Sequence, residues 1–411
     1  MIENKTEIFK DIVDIMSNDY SGCEDKKALN HPEKYVITDG MDDAAFVKTV
    51  QSYLLDFQDH HLRFQEKSGK ASSNGFSVRR YEDKLYVTET AQERELAVGD
   101  IIVSIDGVGI PALAGLHRKE LFDDIYERQE WGNVLVNATK CAVRRHGTEF
   151  EFTIKQYDRV PMPRVYSFKQ LNDENCLLTL SSFADGAAIN SLLRENHETI
   201  IHSKNLIIDV RRNEGGSDAA FFPLLSHVFP RKTMFLDLSA DPDAMLLNCT
   251  ERNCDLMKET YTNVLEGRGV IRAQVDDNTR RFFEEQLLFL KENYGKGFAI
   301  CRDSDFEIDG KPTPVNVIIL SDCYCGSAGD VFVQLSKKSS KVKVVGRNTL
   351  GITDYSNGVL KDYSDCFLLY PISKMTKNHI NGIGVPVDVY IPWTPEHLVK
   401  DVDLEKALSM V

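Results

Sequence analysis

An apolar segment followed at once by a turn of small residues constrains the fold of this chain more than any other feature. The segment Val315–Leu320 is rich in β-branched residues, which is typical of a strand buried on both faces of a parallel or mixed sheet. Small residues then surround Ser327, and Val331–Leu335 begins a helical pattern. The order strand, tight turn, helix predicts a layered α/β core with one serine at the positive end of a helix.

Ser327 has two alternative roles at this point. It can cap the helix, as serines before helices commonly do. It can also act as a nucleophile, because backbone N–H groups and the helix dipole would stabilise a developing oxyanion there. Other segments of the chain bear on this choice.

A second predicted strand of the core also ends in an unusual turn. Asn175–Leu180 reads as a strand, Ala187–Ile201 as a helix and Leu206–Val210 as a second buried strand, an alternation typical of α/β layers. Gly215 and Gly216 follow shortly after this strand. Paired glycines permit positive φ and allow backbone N–H groups to approach a ligand closely, although an ordinary strand-to-helix turn would also explain them.

Adjacent histidines follow a predicted N-terminal helix. His60 and His61 come directly after Asp59. They can be solvated turn residues, or one of them can be a general base, since the pKa of imidazole suits that role.

Changes in pattern predict the domain organisation. Residues 1–74 are mostly helical, and 75–157 carry short strands separated by turns. The α/β core would occupy residues 158–411, with a helical insertion at about 235–310.

Composition excludes several classes of function. The chain has 411 residues and a net charge of −14, which makes nucleic acid and acidic membrane surfaces poor partners. Its nine cysteines are scattered, without the spacing of a zinc site. The charged start and the lack of a long apolar run lead us to expect a cytoplasmic protein with no membrane span.

Several motifs occur together and in order along the chain: Asp59-His60-His61, Asp209-Val210-Arg211-Arg212-Asn213-Glu214-Gly215-Gly216, Ser327 within Cys325-Gly326-Ser327-Ala328-Gly329-Asp330, Val345-Gly346-Arg347-Asn348-Thr349-Leu350-Gly351, and Gly384-Val385 with Asp388. Taken together, they resemble the motifs of the S41 peptidases, which include the C-terminal processing proteases and the tricorn core. Between the first two motifs, Gly99-Asp100-Ile101-Ile102-Val103-Ser104-Ile105-Asp106-Gly107 resembles a PDZ-like domain. The resemblance implies a ClpP/crotonase-like core with an inserted PDZ-like β-domain.

The resemblance also implies roles for individual residues. Ser327 would attack a peptide carbonyl, and N–H groups of Ala328 and of Gly215 or Gly216 would form the oxyanion hole. The position of the lysine base of the processing proteases is occupied by Ile352. A Ser–Lys dyad is therefore excluded, and His61 matches the histidine of the tricorn-like branch.

The residue that would orient His61 stays open among Asn381, Asp59 and Asp354. The expected function is a serine endopeptidase acting on peptides or unfolded protein tails, without metal or organic cofactor, and a homo-oligomer is compatible with it. The alternative is a catalytically inactive protein that binds peptides through the PDZ-like domain.

Overall fold

The computed structural model describes residues 2–67, 72–160, 162–238, 245–266, 268, 277–302 and 305–411. Residues 68–71 and 161, which fall at the two predicted domain boundaries, lie outside the described residues. The chain forms two compact units. The first unit contains residues 1–67, 164–390 and 409–411, and the second contains residues 68–163 and 391–408.

Helices and strands alternate along much of the chain. The α-helices are Lys5–Asn18 (α1), Asp43–Leu54 (α2), Ile110–Leu116 (α3), Arg118–Leu121 (α4), Gly132–Leu135 (α5), Gly186–Glu195 (α6), His197–His202 (α7), Phe222–Val228 (α8), Glu251–Leu265 (α9), Asp277–Asn293 (α10), Ala328–Ser336 (α11) and Val402–Leu408 (α12). The β-strands are Arg63–Glu66 (β1), Ser72–Ser73 (β2), Phe76–Tyr81 (β3), Lys84–Thr90 (β4), Ile101–Ile105 (β5), Val108–Gly109 (β6), Lys140–Arg145 (β7), Thr148–Thr153 (β8), Tyr157–Asp158 (β9), Tyr166–Gln170 (β10), Asn175–Leu180 (β11), Asn205–Asp209 (β12), Thr233–Met234 (β13), Met245–Cys249 (β14), Gly297–Ile300 (β15), Glu307–Ile308 (β16), Asn316–Ser321 (β17), Val342–Gly346 (β18), Tyr355–Asp362 (β19), Cys366–Met375 (β20) and Val389–Tyr390 (β21).

The central sheet of the first unit has the strand order β10-β11-β12-β17-β18-β21. The pairs from β11 to β21 are parallel, and β10 is antiparallel. Residues 206–208 of β12 and 317–320 of β17 are at most 2% exposed. Their continuous apolar runs occur because both faces of a parallel strand are covered. The predicted α/β class is confirmed.

A second sheet of the first unit carries the N-terminal helices. Its order is β1-β20-β14-β15, and β19 pairs with β20. Apolar residues of α1 and α2, among them Ile12 and Phe46, form one core with Leu368 and Tyr370 of β20. Two of these strands, β14 and β15, come from residues 235–310, which were predicted to be a helical insertion. This segment therefore contributes strands as well as the helices α9 and α10.

The second unit is built around an antiparallel sheet. Its order is β3-β4-β5-β7-β8, with β6 paired to β5. Trp131, which is 1% exposed, packs in its core with Leu85 and Val143. Residues 391–408 also belong to this unit, although they are far away in sequence.

Candidate active site

Ser327 lies between the end of β17 and the start of α11. Its φ of 57° and ψ of −124° place a residue with a side chain in a backbone region that such residues rarely occupy. Strain of this kind needs support from neighbouring groups, and it presents the side chain at the helix N-terminus, where the dipole favours negative charge.

The buried carboxylate of Asp330 provides that support. Its Oδ2 accepts hydrogen bonds from the N–H groups of Ser327 at 2.9 Å and Ile352 at 3.1 Å, and its Oδ1 accepts one from the N–H of Gly351 at 2.9 Å. Burial raises the pKa of Asp330, while a hydrogen bond from the Thr349 side chain and these backbone bonds act in the opposite direction. The carboxylate joins the serine turn to the segment that follows β18. The sequence signal that could have identified Asp330 as this support is the capping-box spacing Ser327-x-x-Asp330.

The first of the paired glycines, Gly215, lies against the serine. A Cβ added to Gly215 would be 2.6 Å from Cβ of Ser327, and the φ of Gly215 is +87°, so any side chain there would collide with the serine. The N–H of Gly215 donates to Oδ1 of Asn213 at 2.9 Å. The N–H groups of Gly216 and Ala328 have no acceptor within the described residues. Of the predicted oxyanion donors, Gly216 and Ala328 therefore have N–H groups available to a substrate oxygen. Gly215, which has no side chain, allows its own backbone to lie close to Ser327.

His61 is held in a tight turn that follows α2. Its backbone N–H donates to Oδ1 of Asp59 at 2.9 Å, and its Nδ1 lies 3.8 Å from the same oxygen. This Nδ1 is buried without a hydrogen-bond partner in the described residues. Burial lowers the pKa of His61 below its ordinary value of 6.5, and Asp59 and the backbone of Tyr355 oppose the shift. His61 is consequently neutral at pH 7, which is the form a general base requires.

The segment 352–355 connects the surroundings of the two residues. Ile352 donates to the carboxylate that also holds Ser327. The ring centre of Tyr355 lies 5.8 Å from that of Tyr20, and the hydroxyl of Tyr20 donates to Asp59, which is beside His61. Such a short stretch spans at most about 10 Å when extended. The fold therefore brings the predicted nucleophile and the predicted base, which are far apart in sequence, into one region of the first unit.

The three candidates for orienting His61 differ in their partners. Asp59 is 4% exposed, and its Oδ2 accepts from the hydroxyl of Tyr20 at 2.8 Å. Asp354 accepts from the N–H of Ile380 at 2.8 Å and of Asn381 at 3.3 Å. The side chain of Asn381 in turn accepts from the N–H of Asp354 at 3.2 Å. Asp354 and Asn381 thus form hydrogen bonds with each other, whereas Asp59 is the carboxylate beside the imidazole of His61.

Lys26 also lies close to the histidine turn. Its Nζ donates to the carbonyl of Phe57 at 2.7 Å and is 4.4 Å from the ring centre of Tyr355. Burial lowers the pKa of Lys26, and the charge of Asp59 opposes this shift. Only the three-dimensional contact reveals this residue, because no motif includes it.

The structure offers no metal centre or membrane span in the part of the chain that it describes. No group of three or more His, Cys, Asp or Glu side chains there could hold a metal ion. No helix there is long and apolar enough to cross a membrane.

Comparison with known proteins identifies the family. The model of peptidase family S41 matches residues 175–391, just over half of the chain. The structure of mature CPAF complexed with lactacystin is similar with a TM-score of 0.68 at 13% identity, covering 99% of this chain and 97% of that chain. Mature CPAF alone gives a TM-score of 0.67 at 13% identity, with coverages of 99% and 96%.

At this level of identity the likeness to CPAF shows the fold alone, and no curated protein matches this chain. The match to the family covers β11 to β21 and includes the paired glycines and Ser327. The resemblance drawn from the sequence motifs is confirmed: the chain belongs to peptidase family S41 and is a serine-type peptidase.

Proposed function

We propose that this protein is an endopeptidase in which Ser327 attacks the peptide carbonyl and His61 is the general base. The observation that carries the proposal is the environment of Ser327. The serine sits at positive φ at the N-terminus of α11, with Gly215 packed against its Cβ and the N–H groups of Gly216 and Ala328 without acceptors in the described residues.

Each half of the reaction uses these groups in turn. As Oγ of Ser327 attacks, its proton passes to His61, and the carbonyl oxygen becomes an oxyanion that accepts hydrogen bonds from Gly216 and Ala328. Each such donor lowers the barrier by roughly 3 kcal/mol. His61 then gives the proton to the leaving amine, which breaks the peptide bond and leaves an acyl group on Ser327. His61 then deprotonates a water molecule that attacks the acyl carbon. The bond from this carbon to Oγ of Ser327 breaks, and His61 returns the proton to Oγ.

Asp59 fits the role of the residue that orients His61 and completes a catalytic triad with Ser327. The negative charge beside Nδ1 would stabilise the imidazolium that forms when His61 accepts the proton. Tyr20 fixes the second carboxylate oxygen through a bond of 2.8 Å, which limits rotation of the acid. The distance of 3.8 Å to Nδ1 would shorten in the substrate complex, as catalytic hydrogen bonds commonly do.

The second unit would take part in substrate selection. We infer a PDZ-like role, in which the end of a peptide or unfolded protein adds as a strand to a sheet edge. The strand order of this unit ends at β3 and β8, and either edge could accept an added strand. We also propose that the protein works in the cytoplasm, since all nine of its cysteines are free.

Cleavage of a peptide library, followed by mass spectrometry, tests the proposal. The library contains each peptide with a free and with an amidated C-terminus, and wild type is compared with Ser327→Ala and His61→Ala. Loss of cleavage in both variants is expected, together with a preference for free C-termini.

Three other results would change the proposal. Cleavage that survives in His61→Ala would mean that another group is the base. Equal cleavage of free and amidated peptides would contradict the proposed binding of peptide C-termini by the second unit. Peptide binding without any cleavage by wild type would favour the alternative of an inactive peptide-binding protein. The missing lysine and the distance of 3.8 Å between Asp59 and His61 are the observations in favour of this alternative.

A further inference from the structure

The residue at the position of the family's lysine base presents an apolar side chain beside the nucleophile. A Cβ added to Gly326 would lie 3.3 Å from Cδ1 of Ile352 and 2.9 Å from Cδ2 of Leu350. Both side chains therefore pack against the residue that precedes Ser327. Ile352 and Leu350 are only partly buried, so each retains apolar surface next to the place where a peptide must bind.

The neighbouring loop adds another exposed apolar residue. Ile383 is 62% exposed, and its carbonyl accepts from the side chain of Asn348 at 3.1 Å. The loop that carries it touches the serine-side segment, because a Cβ added to Gly351 would be 2.5 Å from the N of Gly384. Tyr324, which is 44% exposed, belongs to the serine turn itself. We call Tyr324, Leu350, Ile352 and Ile383 the apolar rim.

The buried carboxylates around the serine turn already have partners. Asp330 accepts the backbone bonds described above, and Asp322 forms an ion pair of 2.8 Å with Arg347, both side chains being at most 7% exposed. These charges are therefore occupied in holding the turn, and they are poor ligands for a charged substrate side chain. What the turn offers to a substrate is mainly apolar surface.

We propose that the apolar rim is a specificity subsite that takes a large apolar side chain, aliphatic or aromatic, from a residue flanking the scissile bond. The inference rests on the proposed function of Ser327. Burial of the substrate side chain against Ile352 and Ile383 removes apolar surface from water, which favours its transfer from solvent. A charged side chain would lose its hydration there without gaining a partner. The replacement of lysine by isoleucine would thus remove a base and create a contact surface.

Peptides that differ only in the residues flanking the scissile bond test the subsite. Wild type should cleave peptides with Leu or Phe at least tenfold faster, in kcat/KM, than the same peptides with Glu or Lys, since hydrophobic subsites discriminate by about 10- to 200-fold. Ile352→Glu and Ile383→Glu should each reduce this preference and raise the relative rate for Lys. The Ile383→Glu variant is expected to fold, because its side chain is largely exposed.

Leu360→Glu is the matched control. Leu360 is 51% exposed on β19 and lies roughly 17 Å along the strand from Tyr355. The control should retain the wild-type preference, whereas unchanged preference in both rim variants would overturn the subsite. Cleavage that depends on Ser327 but shows no apolar preference would also overturn it while leaving the proposed function intact. Absence of cleavage that depends on Ser327 would instead reject the proposed function, and the subsite with it.

Discussion

At the scale of single residues, the proposed mechanism depends on a histidine kept neutral beside a carboxylate. Burial lowers the pKa of His61, and Asp59 raises it. The base is active when unprotonated, so activity should fall only as the pH drops through a value below 6.5, and it should be constant above that value. This sign follows from the lowered pKa, since a raised pKa would move the acid limb of the profile above pH 6.5.

Replacing Asp59 with Asn should change both the rate and the position of the acid limb. Loss of the negative charge removes an influence that raises the pKa of His61, so the limb should move to lower pH, while kcat should fall at least tenfold because the imidazolium loses its stabilising partner. The measurement is kcat against pH for wild type and Asp59→Asn. A fall in kcat with an unshifted limb would reduce Asp59 to a structural role, and Asp354→Asn, measured in parallel, should leave the limb in place.

At the scale of structural elements, the turn between β17 and α11 is held by one carboxylate. Asp330→Asn keeps the size of the side chain, but its amide group cannot accept all of the N–H bonds from Ser327, Gly351 and Ile352. We expect stability to fall by about 1–3 kcal/mol and labelling of Ser327 by a serine-reactive fluorophosphonate to slow at least tenfold.

Asp388→Asn is the control for this variant. The Asp388 carboxylate also accepts a backbone N–H, that of Val344 at 2.8 Å, but it bonds to Lys337 rather than to the serine turn. The control should lose stability and keep the wild-type labelling rate. Wild-type labelling in Asp330→Asn would contradict the positioning role.

The elements differ in how far their sequence determines them. Strands β12 and β17 were predictable because burial on both faces leaves a continuous apolar run, and the turns after them were recognisable by glycine and small residues. The single α-helix expected over 187–201 is two helices, α6 and α7, and the contributions of β14 and β15 to a sheet were missed. Their pairing with β20 is set by contacts distant in sequence, which local periodicity does not record.

The same limit applies to the candidate site. Ser327, the glycines and the histidines could be selected by motif, because each must occupy a particular turn. Lys26 and Tyr20 could not be selected by motif. Their hydrogen bonds to Phe57 and Asp59 form only when segments distant in sequence meet. Likewise, the proposal of Asp59 rather than Asn381 as the partner of His61 rests on hydrogen bonds that the sequence does not reveal.

At the scale of the whole molecule, the second unit depends on a segment near the end of the sequence. Trp393 is 6% exposed and packs edge-on against Tyr86, with ring centres 6.2 Å apart. The guanidinium of Arg79 lies 5.4 Å from the ring centre of Trp393. The backbone N–H of Trp393 donates to the carboxylate of Glu127 at 2.7 Å. Residues 75–157, predicted as a domain, therefore lack part of the unit that contains them.

Trp393→Ala should destabilise the second unit by about 3–5 kcal/mol, since the substitution removes a large buried aromatic ring and leaves a cavity. The chain has two tryptophans, Trp131 and Trp393, and both belong to this unit. The fluorescence of Trp131 during urea unfolding of the full-length variant therefore reports on this unit. Val399→Ala, at a residue that is 87% exposed, should unfold like wild type. If Trp393→Ala unfolded at the same urea concentration as this control, residues 391–408 would contribute nothing to the stability of the unit.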